Sequence, residues 1–313
     1  GQTFHYDEDC LNLNIFSPAG DGPFPVLVFI HGGGFDSGAN YDSAIDGAAY
    51  ARRGIVFVSI HYRVSIFGYL THPDIREKYG RDGNFGLDDQ FTALQWIKAN
   101  IADYKGDAHN ITVMGQSAGA ISIQYLSLSP KCQGLYQRAI MLSGGGMFPK
   151  FALPRPSENT HEYWEDLMNT AGVSTLDELK VLDAKTIFTA IEELKSRRKD
   201  NTYNTMPVVD GYLISAPVDT LIDHPLPIDY MLGYTNNDMY AIIMGHISHK
   251  YAKANHAYLY YFDIDAPGND HNGAFHSSDL RYVFGTLNAS HRPYDAEDVR
   301  VSEAMISYIA AFR

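Results

Sequence analysis

Cysteine is scarce in this 313-residue chain: there are two, Cys10 and Cys132, far apart and in no metal-type spacing. That excludes a disulfide-stapled scaffold and a thiolate zinc site. Two free buried thiols in a reducing compartment are favoured over one disulfide in an oxidising one. Basic residues are outnumbered as well, 24 Lys and Arg against 37 Asp and Glu, for a formal net charge of −13. A phosphate backbone or an anionic membrane surface needs a basic face, so no nucleic-acid partner is expected. The longest basic cluster, Arg197-Arg198-Lys199, reads as the solvated end of a helix. Apolar runs long enough to span a membrane are missing, and so are repeats and low-complexity tracts. The sequence opens on Gly1 with no methionine, basic segment or apolar leader, which reads as a fragment boundary or processing site. Cysteine usage then favours the cytoplasm, and secretion stays open.

What is present suits a soluble globular protein: hydrophobic residues make up 45% and charged residues 19%. Among thirteen histidines the nearest approach to a metal motif is His246 and His249 in "GHISH". No carboxylate or cysteine stands at ligand spacing beside them, so no metal is expected.

Strand-length apolar runs recur at Val26–Ile30, Ile55–Ile60, Ile111–Met114 and Ala139–Leu142, and return at Ile228–Leu232 and Tyr258–Phe262. Helical periods lie between them, notably "DDQFTALQWIKANI", where Ala93, Trp96, Ile97 and Ile101 are expected to face inward. Alternating strands and helices imply crossover connections and a mostly parallel sheet covered on both faces, an α/β protein. From about residue 157 to 200 the strand signal stops. Trp164, Leu167, Met168 and Ala171 form one helical stripe, as do Ile187, Ile191 and Leu194, which reads as a helical insertion near the sheet's functional edge. A last helix is expected to bury Val301, Met305, Tyr308, Ile309 and Phe312.

The chemistry begins at "ITVMGQSAGAISIQYL", which runs from an apolar strand through Gly115-Gln116-Ser117-Ala118-Gly119 into a helix. This is a G-x-S-x-G elbow, whose glycines allow a turn sharp enough to expose the serine hydroxyl at the sheet's C-terminal edge. A serine is a poor nucleophile unless a base takes its proton and an acid orients that base. In this arrangement the order is serine, acid, histidine. After the strand ending in "LGYTNND", Asp238 is the leading acid and Asp229, inside the strand, the weaker one. For the base, His271 and His276 both follow the strand Tyr258–Phe262, and order alone does not separate them.

"VLVFIHGGGFDSG" supplies the remaining requirement. Attack on an acyl carbonyl builds negative charge on oxygen, and backbone N–H groups aimed at it lower the barrier. Gly33 and Gly34, with the N–H of Ala118, are the expected oxyanion donors, while His31 only shapes the turn. A phosphate cradle is the rival reading, but a Walker lysine and dinucleotide-type glycine spacing are both missing.

Further blocks accompany these motifs: "EDCLNLNIFSP" at Glu8–Pro18, "HYRVSIFGYL" at His61–Leu70, "GNFGLDDQFTALQWIKANI" at Gly83–Ile101, "RAIMLSGG" at Arg138–Gly145, "PVVDG" at Pro207–Gly211 and "GAFHSSDLRYVFG" at Gly273–Gly285. In this order they resemble type-B carboxylesterases, the group that contains cholinesterases and bacterial para-nitrobenzyl esterases. The resemblance implies a single α/β-hydrolase catalytic domain over 1–313, needing no cofactor. It selects His276, whose G-A-x-H block leads into V-F-G, and aligns the acid with Asp238, although Met239 replaces the glycine that follows the acid in many relatives. The oxyanion donors again fall on Gly33, Gly34 and Ala118, and Arg63 with Asp89 matches a structural ion pair.

Departures from the family are expected too. N-terminal, lid-region and C-terminal segments are missing by comparison, which leaves Cys10 unpaired. Asp238 and His276 stand only 38 residues apart, so an unusually open pocket is implied. The implied activity is hydrolysis of carboxylic esters, with a small-molecule ester as partner. The alternatives are an inactive esterase-like binding or adhesion protein, and a hydrolase of amides, thioesters or lipids. Phe35, Phe148 and Tyr234 are candidate pocket aromatics.

Overall fold

The computed structural model describes residues 7–146, 153–198, 204–238 and 241–312, with side chains omitted for 241–246. Seven strands form the main sheet: β1 (Leu13–Phe16), β2 (Phe24–Ile30), β3 (Val56–Ile60), β4 (Gly106–Gln116), β5 (Arg138–Leu142), and, after the two-residue strands β6 (Arg155–Pro156) and β7 (Val208–Val209), β8 (Asp229–Thr235) and β9 (Ala257–Phe262). Their order is β1-β3-β2-β4-β5-β8-β9. Every pairing is parallel except β1 with β3. All the apolar runs read as strands are strands. β1, hidden in the "EDCLNLNIFSP" block, is an edge strand too short and polar for periodicity to reveal.

Side-chain alternation along β2 explains the layering. Val26, Val28 and Ile30 pack on one face with Leu87, Leu94, Ile97 and the helix Ala118–Ser127. Leu27 and Phe29 pack on the other with Tyr50, Phe284, Ile306 and Ile309. With both faces covered, the central strands are continuous apolar runs rather than alternating ones.

In two helices one residue of the expected inward stripe faces outward instead. In Phe85–Asn100 the large apolar side chains that are buried are Leu87, Phe91, Leu94 and Ile97, whereas Trp96 is 39% exposed and lies against Tyr104 at the surface. In Ala296–Ala311 the inward residues include Asp298, Ser302, Ile306 and Ile309, and Tyr308 is 74% exposed. The reason is polar. Tyr282 O–H donates to Asp298 at 2.6 Å and Ser302 Oγ donates to Tyr282 O at 2.7 Å, so hydrogen bonds set the rotation of this helix against its neighbour.

Between β6 and β7 lies a helical unit, His161–Thr170, Leu176–Lys180 and Ala184–Arg197. Trp164, Leu167, Met168, Ile187, Ile191 and Leu194 form its own core, packed onto Ile66 and Ile75. β6 and β7 pair in parallel across its base. Cys10 and Cys132 are free thiols, and burial pushes the Cys132 thiol up to about 12. Among the described residues no helix is long and apolar enough to cross a membrane.

Candidate active site

β2 and β4 are neighbours in register, with Ile30 beside Gly115, so the turns that follow them emerge side by side. Ser117 takes φ 54° and ψ −121° between β4 and the helix Ala118–Ser127, a backbone strain of the kind concentrated at functional sites. The neighbouring glycines allow this approach. A Cβ on Gly119 would sit 2.1 Å from the carbonyl oxygen of Ile30, and one on Gly32 would sit 3.0 Å from Ser117 Cβ. The glycine turn therefore lies directly against the serine.

Within the turn, the Gly33 carbonyl accepts from the N–H groups of Asp36 and Ser37 at 3.1 and 3.0 Å. The N–H groups of Gly33 and Gly34 have no partner among the described residues. Ala118 opens its helix, so its N–H has no intrahelical partner either. These are the three groups expected from sequence to receive an oxyanion. His31 faces away from this chemistry. It is buried, stacks on Tyr62 with ring centroids 4.3 Å apart, bonds through Nδ1 to the Gly32 carbonyl, and is held down at about 4 by its burial.

Asp238 follows β8 and His276 follows β9 by a loop, on the same C-terminal edge of the sheet. His276 Nδ1 lies 2.9 Å from Asp238 Oδ2, and His276 Nε2 lies 2.9 Å from Ser117 Oγ. With the carboxylate accepting from Nδ1–H, Nε2 is left unprotonated and accepts from the serine hydroxyl. The Asp238 side chain is fully buried, and that of His276 is 38% exposed, so the base is shielded on its acid side and reachable on the other. His271, the alternative base, is exposed with φ 52° and joins no such array. Asp229 bonds instead to His256 at the other end of β8.

Residues that the sequence left unassigned surround this array. Gln116 donates through Nε2 to Ser277 Oγ at 2.8 Å and lies 3.3 Å from His276 Nε2. Thr235 Oγ1 donates to Asp238 Oδ2 at 3.4 Å. Asp279 is fully buried, accepts from Tyr260 O–H at 2.9 Å, and is pushed up to about 6 by burial. Gln116, Ser277 and Asp279 all lie inside the quoted blocks, yet a hydroxyl or amide beside a motif residue carries no signal of its orientation.

The pocket aromatics fare less well. Phe35 is 1% exposed and packs edge-on against Tyr69 with centroids 5.3 Å apart, so it belongs to the core rather than to a substrate surface. Tyr234 pairs its ring with Tyr261 of the edge strand β9 at 5.2 Å. Phe148 lies outside the described residues, as does the side chain of His246. Arg63 and Asp89 form the expected bidentate pair, Nε to Oδ2 at 2.8 Å and Nη2 to Oδ1 at 2.7 Å. Among the described residues no three His, Cys, Asp or Glu side chains converge as a metal site would require.

A mostly parallel sheet that delivers a strained serine, a histidine and a carboxylate to one edge is the architecture of the α/β-hydrolases. The carboxylesterase family model matches residues 1–249 and 243–313, and the chain belongs to that family. The chain is 33% identical over 211 residues to fumonisin B1 esterase of Sphingopyxis macrogoltabida, covering 66% of this chain and 38% of that one. It is 30% identical over 402 residues to bile salt-activated lipase of Rattus norvegicus, covering 97% and 64%. It thus spans between about a third and two thirds of the length of these relatives. A solved para-nitrobenzyl esterase superposes with a TM-score of 0.88 at 25% identity, over 98% of this chain and 74% of that one. The lipase alignment is longer than this whole chain, and the two family-model matches overlap at residues 243–249, between Asp238 and His276. The family-model match is thus split in two between Asp238 and His276.

Proposed function

We propose that this chain hydrolyses carboxylic esters through an acyl-enzyme, with a small-molecule ester as its partner. Ser117 Oγ attacks the ester carbonyl while His276 Nε2 takes its proton, and Asp238 stabilises the imidazolium that forms. The developing oxyanion is received by the N–H groups of Gly33, Gly34 and Ala118. On collapse the ester C–O bond breaks and His276 gives its proton to the leaving alcohol. Water then attacks the Ser117 ester, His276 removes the water's proton, and the carboxylic acid and free serine are restored. No step calls on a cofactor.

The observation that carries this reading is the continuous Asp238–His276–Ser117 chain, 2.9 Å at each link, beside a glycine turn on the adjacent strand. The relatives' names, an esterase and a lipase among them, support an ester over an amide. The test is turnover of a short-chain nitrophenyl ester by the chain and by Ser117→Ala. Loss of all but background hydrolysis in the variant is expected, and activity that survived it would sink the assignment.

A further inference from the structure

Residues 263–275 connect β9 to His276 without helix or strand, so the position of the base depends on ties within and around this loop. The N–H of Ala266 donates to Gly273 O at 3.3 Å and draws the loop's ends together. Asn237, next to Asp238, donates its N–H to Ala274 O at 2.9 Å and its side-chain amide to Asn272 O at 2.9 Å. A further tie comes from a separate segment, through Arg292.

The Arg292 guanidinium donates to both carboxylate oxygens of Asp270, at 3.0 and 2.6 Å, and to the Pro267 carbonyl at 3.0 Å. Its Cζ lies 5.1 Å from the ring centroid of Phe275, the residue before His276. Asp270 also accepts from Asn272 Nδ2 at 2.7 Å. Arg292, Asp270, Asn272 and Asn237 therefore run as one chain of contacts from the loop that carries the base to the loop that carries the acid. The backbone makes room for the guanidinium: a Cβ on Gly268 would lie 2.8 Å from Arg292 Nη1.

We propose that Arg292 is a positioning residue for His276, clamping residues 267–275 through Asp270 and Phe275 so that the imidazole is held between Asp238 and Ser117. The inference rests on the catalytic reading given above. A planar fork is required, because only a guanidinium can hold both Asp270 oxygens and the Pro267 carbonyl while lying over a ring. The Arg292 and Asp270 side chains are 25% and 41% exposed, and an ion pair at that exposure adds little to global stability. The effect should therefore appear in turnover, since small displacements of a reacting group are costly in rate.

The experiment compares the full chain with Arg292→Ala, Arg292→Lys and Asp270→Asn. It measures kcat and KM on a nitrophenyl ester, Tm, and recovery of Arg292→Ala by millimolar guanidinium ion. About a tenfold or greater fall in kcat is expected in all three, with KM within about twofold, Tm nearly unchanged, and guanidinium restoring part of the rate in Arg292→Ala alone. Should Arg292→Ala not fold, Arg292→Lys and Asp270→Asn carry the same comparison. A kcat within twofold of the parent in the folded variants, or a loss residing wholly in KM, overturns the clamp. If the parent chain neither turns over the ester nor labels with a fluorophosphonate, the catalytic reading itself fails, which is a different result.

Discussion

His276 Nε2 stands 2.9 Å from Ser117 Oγ although 159 residues separate them in the chain. The distance is set by strand order: β4 carries the serine, β5 and β8 intervene, and β9 launches the loop that brings the histidine back over the edge. Asp238, at the end of β8, meets that loop from beneath. Asp238→Asn should retain the fold but favour the wrong imidazole tautomer, lowering kcat by about 10³–10⁴-fold. Steady-state turnover with an unchanged circular dichroism spectrum is the check.

Gly33 and Gly34, proposed as oxyanion donors, should respond differently to substitution. At Gly34 a Cβ meets nothing within 4 Å, although φ is +65°, so Gly34→Ala strains the backbone by only about 1–2 kcal/mol and adds a methyl group beside an N–H proposed to receive the oxyanion. Turnover should fall about 10²-fold or more while Tm drops by only a few degrees. At Gly33 a Cβ would lie 2.1 Å from Ser37 O, so Gly33→Ala should cost stability and activity together. Paired melting curves and kinetics separate the two positions.

Asp279 gives the fold a pH dependence of definite sign. Burial raises its carboxyl from 3.8 to about 6, so the neutral acid is the form the folded chain prefers. Its contribution to stability is fully present below about pH 4 and is lost as the pH rises through about 6. The difference corresponds to roughly 3 kcal/mol. Asp279→Asn keeps an acceptor for Tyr260 and should flatten this part of the profile. Urea midpoints between pH 4 and 7 for the parent and variant measure it.

Much of this was legible beforehand. Six strands, the insertion, the serine elbow and the glycine turn all sit in continuous segments whose period or glycine spacing betrays them. Asp238 stood out by its place after a strand, whereas His276 needed more, since His271 fits the chain order equally well and only the resemblance distinguished the two. Failures came where polar contacts or competing stripes decide orientation. Trp96 lost its place inside to Phe91 and Leu94, and Tyr308 was turned outward by the bonds of Asp298 and Ser302 to Tyr282. Arg292 had no sequence signal because its partners arrive from a loop with no period at all.

The two tryptophans make that lesson measurable. Trp164 is fully buried in the core of the insertion, so Trp164→Ala should cost about 3–5 kcal/mol of the cooperative stability that includes this unit. Trp96→Ala, at an exposed position, should change stability by less than about 1 kcal/mol. Equal losses in chemical denaturation would mean that the inward stripe of the helix Phe85–Asn100 has been misassigned.

The most direct test of the central claim is covalent. After incubation of the folded chain with a dialkyl fluorophosphonate, peptide mass mapping should find one adduct, on Ser117, formed at a rate that collapses in His276→Ala. An unmodified Ser117 in chain that still hydrolyses esters, or an adduct whose formation ignores His276, would contradict the account.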